Sequence, residues 1–227
     1  MNKILIAIPT NRIKDYCLPE IIAALKTLSY PDFDILFCDN SQGHDYRHKI
    51  NKLGYKCIHI APSGKDVFDV LADSHEALRL ECLKGDYTHM LHLESDILVK
   101  PDTLTRLVDA GLPIIGCPYF INDGNGDVKL MLQKAEEHKS SQMEVTYLPG
   151  KDIMWLTGKN ERFFHIGLGC ILIQRDVLEQ FKFRYDKNVN MAPDTFFAQD
   201  MFYKQIPIYA DTGCVLRHLQ KNKWKTV

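Results

Sequence analysis

Unbroken apolar runs alternate with helically spaced apolar positions through the first half of the chain. Ile4-Leu5-Ile6-Ala7-Ile8 is apolar throughout, the pattern of a strand buried on both faces. Pro9-Thr10-Asn11-Arg12 ends it. Pro19 to Leu28 has helical spacing, with Pro19 where a helix start tolerates proline. A second strand is predicted over Phe33 to Cys38, stopped by Asp39-Asn40-Ser41. A helix over 46–53 leads to Gly54, and a third strand is predicted over 56–60. A helix over 67–83, closed by Gly85, leads to a fourth strand, His89 to Leu93. The spacing then predicts a helix over 103–110 with Gly111 as its C-terminal stop, and a strand over 114–119.

Strands alternating with helices at this spacing predict βαβ units and a mostly parallel sheet with helices on both faces. The second half is less regular. Asp123-Gly124-Asn125-Gly126-Asp127 is a strong hairpin turn signal. Short strands are predicted over 144–148 and 153–156, and a buried strand over 170–173 after Gly167-Leu168-Gly169. Helices over 175–181 and 193–203 and strands over 206–210 and 214–218 complete the pattern. No repeat, low-complexity stretch or flexible linker divides it. One domain over 1–227 is expected, with an irregular C-terminal half.

Composition and charge narrow the class. The 227 residues are 45% hydrophobic and 25% charged, which describes a folded globular protein. The net charge of −1 lacks the basic footprint of non-specific nucleic-acid binding. The one local basic cluster is the stretch from Arg217 to Lys225, and its tail, Lys221 to Lys225, is read as a solvated, frayed end, as a lid over a diphosphate or as a contact for an anionic acceptor. Seven cysteines stand singly, with no Cys-x-x-Cys pair, as expected of buried free thiols in a reducing compartment. The apolar run at Met1 to Ile8 is too short for a signal-peptide core. No window approaches the roughly 18 apolar residues of a membrane span. A cytoplasmic protein with no transmembrane segment is the expectation.

The strongest candidate chemistry is Glu94-Ser95-Asp96, directly after the fourth strand. Ligands of open α/β sheets bind at the carboxyl ends of strands. Two hard oxygen ligands there suit Mg²⁺ or Mn²⁺ carrying a diphosphate. The same acids also suit a helix cap or a solvated turn. No Gly-x-Gly-x-x-Gly or Walker pattern follows the first strand, which disfavours those modes of dinucleotide and ATP binding. Pro9, Thr10, Asn11 and Arg12 end the first strand, and Asp39, Asn40 and Ser41 end the second, both at the same sheet edge. Asp39 is suited to accept from a base N–H or ribose hydroxyl, and Thr10 and Arg12 to hold sugar or diphosphate. A plain turn at 39–41 is the competing reading. Trp155 and Tyr119 stand near predicted strand ends, where aromatic faces stack on sugars or fill a core.

These residues carry a resemblance. An apolar strand into Pro-Thr, a strand into Asp-Asn-Ser, and Gly85-Asp86-Tyr87 leading to Leu93-Glu94-Ser95-Asp96 and Pro101 resemble a GT-A-fold glycosyltransferase. The likeness is to the family 2-like, Asp-x-Asp-bearing nucleotide-sugar transferases. It continues at Gly167-Leu168-Gly169-Cys170 and at Gln199-Asp200, and is weak between about 122 and 161. The resemblance implies a nucleotide-sugar-binding half over 1–120 and an acceptor-binding half over 121–227. It implies a metal site of Glu94, Asp96 and His218 holding Mn²⁺ or Mg²⁺, with Asp200 as catalytic base. It places Asp66, His75 and Arg79, with Ser95, among the donor contacts, and Gly167 and Gly169, with Trp155, on the acceptor side.

Two positions depart from the family pattern. Glu94 stands where the first Asp is usual, which makes Asp96 the firmer metal ligand. Gln199 replaces the usual first acid, which leaves Asp200 as the only carboxylate there. The implied activity is metal-dependent, inverting transfer of a sugar, from a UDP-sugar first, to an acceptor hydroxyl. A glycan, lipid-linked sugar, protein or modified DNA base remains open as acceptor. Two other readings stand beside it: a non-catalytic nucleotide-sugar-binding domain on the same fold, and a nucleotidyltransferase.

Overall fold

The computed structural model describes residues 2–62, 65–122, 128–136, 144–149, 159–189, 191–220 and 223–225. The first strand, β1 (Ile4–Thr10), is buried along its whole length. A 3-10 turn, Arg12–Cys17, is capped by Asn11, whose side chain accepts from the Ile13 N–H. It runs into α1 (Leu18–Leu25), which has Pro19 in its first turn. Then come β2 (Phe33–Asp39), α2 (Asp45–Lys52) and β3 (Lys56–His59). The long α3 (Val67–Lys84) is capped by Asp66, which accepts from the Phe68 N–H. It is followed by β4 (His89–Leu93), the two-residue β5 (Ile97–Leu98), α4 (Thr103–Asp109) and β6 (Ile114–Gly116).

The second half contains β7 (Phe120–Asn122), β8 (Val128–Glu136), β9 (Glu144–Pro149) and β10 (Asn160–Phe163). After these come β11 (Cys170–Gln174), α5 (Arg175–Leu178) and α6 (Pro193–Tyr203). The last strands are β12 (Ile208–Asp211), β13 (Arg217–Gln220) and β14 (Lys223–Lys225).

The main sheet has eight strands in the order β10-β12-β6-β11-β4-β1-β2-β3. β1, β2, β3 and β4 run parallel, as do β6 and β12. β11 lies antiparallel between β4 and β6, and β10 is antiparallel to β12. The two halves expected from the resemblance therefore share one sheet.

Alternation along β1 sorts its side chains between two layers, because successive residues of a strand face opposite ways. Leu5 and Ala7 pack with Leu78 and Cys82 of α3, Val177 of α5 and Met201 of α6. Ile4, Ile6 and Ile8 pack with Ile21 of α1, Ile50 of α2 and Leu104 of α4. Helices thus cover both faces. Each fully buried isoleucine contributes about 1.5–3 kcal/mol of burial, so losing the register of β1 would cost several such terms at once.

Some boundaries differ from the expectation. The strand predicted over 114–119 stops at Gly116, and Pro118, two residues on, has no N–H to continue the ladder. The helix over 175–181 ends at Leu178, and the last two strands begin two or three residues late. Within the tail expected to be a frayed end, Lys223–Lys225 instead pairs as β14 with β13, which also pairs with β5. The predicted strand over 153–156, the turn at 123–127 and Trp155 lie outside the described residues. The flanking strands β7 and β8 do pair antiparallel. All seven cysteines are buried and free. Among the described residues, no helix is long and apolar enough to cross a membrane.

Candidate active site

Parallel strands leave their carboxyl ends level, and here the levels are set by register. Thr10 pairs with Asp39, and Ala7 with His92, so Pro9 and Glu94 end side by side. A cleft of about 540 Å³ opens at this edge, within the usual range for small-molecule sites. Of the sequence-predicted residues, Pro9, Thr10, Asn11, Asn40, His75, Glu94, Ser95 and Asp96 line it. Lys14 and Lys65 also line it. Apolar side chains complete the wall, and two of them are strongly exposed, Ile13 at 76% and Val67 at 68%.

The amide walls are fixed before any ligand arrives. Asn11 Nδ2 donates to Asn40 Oδ1 at 2.7 Å, and Asn40 Nδ2 donates to Ser74 Oγ at 3.1 Å. The buried Thr10 hydroxyl lacks a hydrogen bond of full geometry. It faces the Tyr46 hydroxyl inside the protein rather than the ligand space.

The acid loop is held from three directions. Glu94 N–H donates to the Gly169 carbonyl at 2.9 Å, Leu219 N–H to the Asp96 carbonyl at 2.7 Å, and the Cys17 thiol to the Ser95 carbonyl at 3.1 Å. The buried Asp96 carboxylate accepts from the Lys14 ammonium and lies 3.3 Å from His218 Nε2. His218 Nδ1 faces the Phe120 carbonyl at 2.9 Å. With an acceptor at each ring nitrogen, both bonds require the imidazolium.

The electrostatics follow. Burial works against charge on Asp96, but His218 and Lys14 outweigh it and hold the carboxyl below its usual range. Burial also opposes charge on His218, and the bond to Asp96 outweighs it, so its pKa rises. Among the described residues, Glu94 has no hydrogen-bonded cation of this kind. Burial, and then the Asp96 charge, push it up to about 7.

The expected Mn²⁺ or Mg²⁺ site was Glu94, Asp96 and His218. Asp96 and His218 meet, and Glu94 is close enough to feel both. Yet the Lys14 ammonium sits on the same Asp96 Oδ2 that a cation would take. Among the described residues, no group of three His, Cys, Asp or Glu side chains is arranged to hold a metal. As folded, these residues do not fit a resident divalent ion, because it would have to displace Lys14.

Several predicted residues do other work. Asp39 accepts from the N–H groups of Ser41, at 2.9 Å, and Arg47, at 3.1 Å, which closes the turn into α2. Ser41 Oγ accepts from Arg12 N–H at 2.7 Å, and the Arg12 side chain is exposed. Asp66 caps α3. The Arg79 guanidinium is bound bidentately by Glu76 and also donates to the Leu178 carbonyl at 2.7 Å. Gly167 (φ +68°) and Gly169 make room for Tyr119: a Cβ on either would lie within 2.4 Å of its side chain. Asp200 is paired with Arg184 at 2.6 Å and does not line the cleft.

Sequence reasoning missed two groups. Lys14 follows Arg12 in a 3-10 turn, and only that turn brings it back over Asp96. The pattern around residues 12–17 gave no helix signal strong enough to place it. Asp194 opens α6, lies 3.4 Å from His165 Nε2, and is half-buried near Glu94 and Tyr119. Its neighbours His75 and His92 stack, with His75 Nδ1 2.5 Å from His92 Nε2 and His92 Nδ1 2.6 Å from the Leu168 carbonyl. That network assigns His92 its proton on Nδ1. Burial pushes the pKa of His92 down to about 4 and lowers that of His75 as well.

No protein-family model matches the sequence, and no curated protein matches it. Solved structures do resemble it. One is described as the crystal structure of A197 from STIV, with a TM-score of 0.51 and 14% identity, covering 97% of this chain and 87% of that one. At that identity the likeness concerns the fold alone, and the fold is a GT-A-like α/β arrangement built on a mostly parallel central sheet.

Proposed function

We propose that the chain transfers a sugar from a nucleotide-sugar donor, a UDP-hexose first, to an acceptor hydroxyl. One observation carries this reading: the ends of β1, β2 and β4 converge on one cleft that has amide walls and a charged acid loop at its floor. Fixed amides suit the edge of a base or a ribose, and the cationic group at the floor suits a diphosphate. The acceptor oxygen attacks the anomeric carbon while the bond from that carbon to the diphosphate oxygen breaks. The electron pair leaves with the diphosphate, the acceptor proton passes to a carboxylate, and in-line attack inverts the anomeric centre. Asp200 is the base that the resemblance implies, and Asp194, on the same helix and half-buried near Glu94, is the alternative. A cytoplasmic setting belongs to this reading, supported by the free thiols.

The test is a panel of nucleotide sugars scored by released nucleotide, with the product anomer assigned by NMR. Release from a UDP-sugar with inversion is expected. No release from any donor, alongside tight donor binding, would replace this reading with the non-catalytic binding domain. The pairing of Asp200 with Arg184, away from the cleft, favours that second reading. A nucleotidyltransferase would want a Gly-rich loop after the first strand, and Pro9-Thr10-Asn11-Arg12 is not one. Glycan, lipid-linked sugar, protein and modified DNA base all remain within the proposal as acceptors.

A further inference from the structure

We propose that the ammonium of Lys14, rather than a divalent cation, meets the donor diphosphate, so that the chain works without a metal. This rests on the transferase reading above. Lys14 lines the cleft and its side chain is 36% exposed, while the Asp96 carboxylate it pairs with is 3% exposed. One end of the pair is therefore anchored in the protein and the other faces the ligand space. An ammonium carries three donors. Asp96 engages one of them, which leaves donors for diphosphate oxygens.

The turn that presents Lys14 is rigidly tied. Asn11 holds its start to Asn40, and the Cys17 thiol lies 2.9 Å from the Lys14 carbonyl and 3.1 Å from the Ser95 carbonyl. The cation and the acid loop thus form one unit. Asp96 acts as the positioning residue that aims Lys14, and His218 supports the opposite side of the same carboxylate. When the bond from the anomeric carbon to the diphosphate breaks, the electron pair goes to the diphosphate oxygen. Lys14 offsets that charge by hydrogen bonding and keeps its own protons. Compact ammonium groups bind phosphates as point charges, so the step needs no further co-reactant.

The test uses the full chain, with UDP and Mn²⁺ as probes. Calorimetry should show UDP binding equally in EDTA and in Mn²⁺, and electron paramagnetic resonance should show no Mn²⁺ bound by the wild type alone. Lys14→Met should weaken UDP about tenfold to hundredfold, with Lys14→Arg recovering most of it. Two results would overturn the proposal: Mn²⁺ bound by the wild type and lost in Asp96→Asn, or UDP binding abolished by EDTA. Either leaves the transferase reading in place. If UDP, GDP, ADP and CDP all fail to bind in both conditions, the transferase reading falls and takes this inference with it. The Mn²⁺ measurement needs no variant, so a Lys14 substitution that unfolds the chain leaves the proposal open to refutation.

Discussion

The thiol of Cys17 donates to the backbone carbonyl of Ser95 across 3.1 Å, joining the turn after β1 to the loop after β4. Two segments nearly eighty residues apart in sequence are pinned by one buried sulfur. Burial, chiefly, pushes this thiol up to about 12, so it remains a donor rather than a nucleophile.

Cys17→Ala removes both the pin and buried volume. A loss of about 1–3 kcal/mol is expected, read as a lower midpoint in urea unfolding, together with weaker UDP binding. Cys17→Ser, which keeps a donor, should bind UDP more tightly than Cys17→Ala. The native thiol should resist a disulfide reagent at pH 8 until the chain unfolds. Rapid labelling of the folded protein at Cys17 would contradict the pinned geometry.

Glu94 predicts a pH signature. Its folded pKa of about 7 lies above the ordinary 4.5, so the folded state binds the extra proton between those values. Stability contributed by the protonated form is present below about 4.5 and is lost as pH rises through about 7. Glu94→Gln should remove that slope. The variant's melting temperature should exceed that of the wild type most clearly above pH 7, and the two should converge below about 4.5. Parallel profiles would show that folding leaves the Glu94 pKa unshifted.

The proton acceptor separates by substitution. If Asp194 takes the acceptor proton, Asp194→Asn should lower kcat by about a hundredfold or more and leave donor KM nearly unchanged. Asp200→Asn should then lower thermal stability through loss of the Arg184 pair, with a small effect on kcat. The reverse outcome assigns the base to Asp200 and requires the Arg184 pair to open when acceptor binds.

Gly169 tests the backing of the acid loop. A Cβ there would lie 2.3 Å from the Tyr119 ring, and overpacking of this kind costs about 1–3 kcal/mol. Gly169→Ala should lower the melting temperature, and adding Tyr119→Leu should recover part of the loss. Additive losses in the double variant would place the strain elsewhere.

The elements of the first half were legible because their signals are local. The apolar runs at 4–8 and 89–93 and the stops at Gly54, Gly85 and Gly111 mark the βαβ units directly. The cleft was legible too, since parallel strands bring Pro9-Thr10, Asn40 and Glu94-Ser95-Asp96 to one edge by topology alone. Side-chain direction was not legible. Asp39 reads as a ligand contact, yet its two oxygens accept from Ser41 N–H in the following turn and Arg47 N–H in the first turn of α2. Arg79 reads as a diphosphate clamp, yet Glu76 lies one turn away and matches its fork. The antiparallel insertion of β11 between β4 and β6 and the return of Lys14 onto Asp96 depend on distant residues. No periodicity encodes them.

The bond between His218 and Asp96 spans 122 positions of chain. Closing so long a loop costs entropy that only a largely completed sheet can offset. During folding, β1, β2 and β3 can associate early through short connections, but His218 cannot reach Asp96 until β11, β12 and β13 have arrived. Arrested or partly folded chains would therefore carry the amide walls and Lys14 without the imidazole that backs Asp96, and the finished charge pattern of the floor would coincide with the last steps of folding.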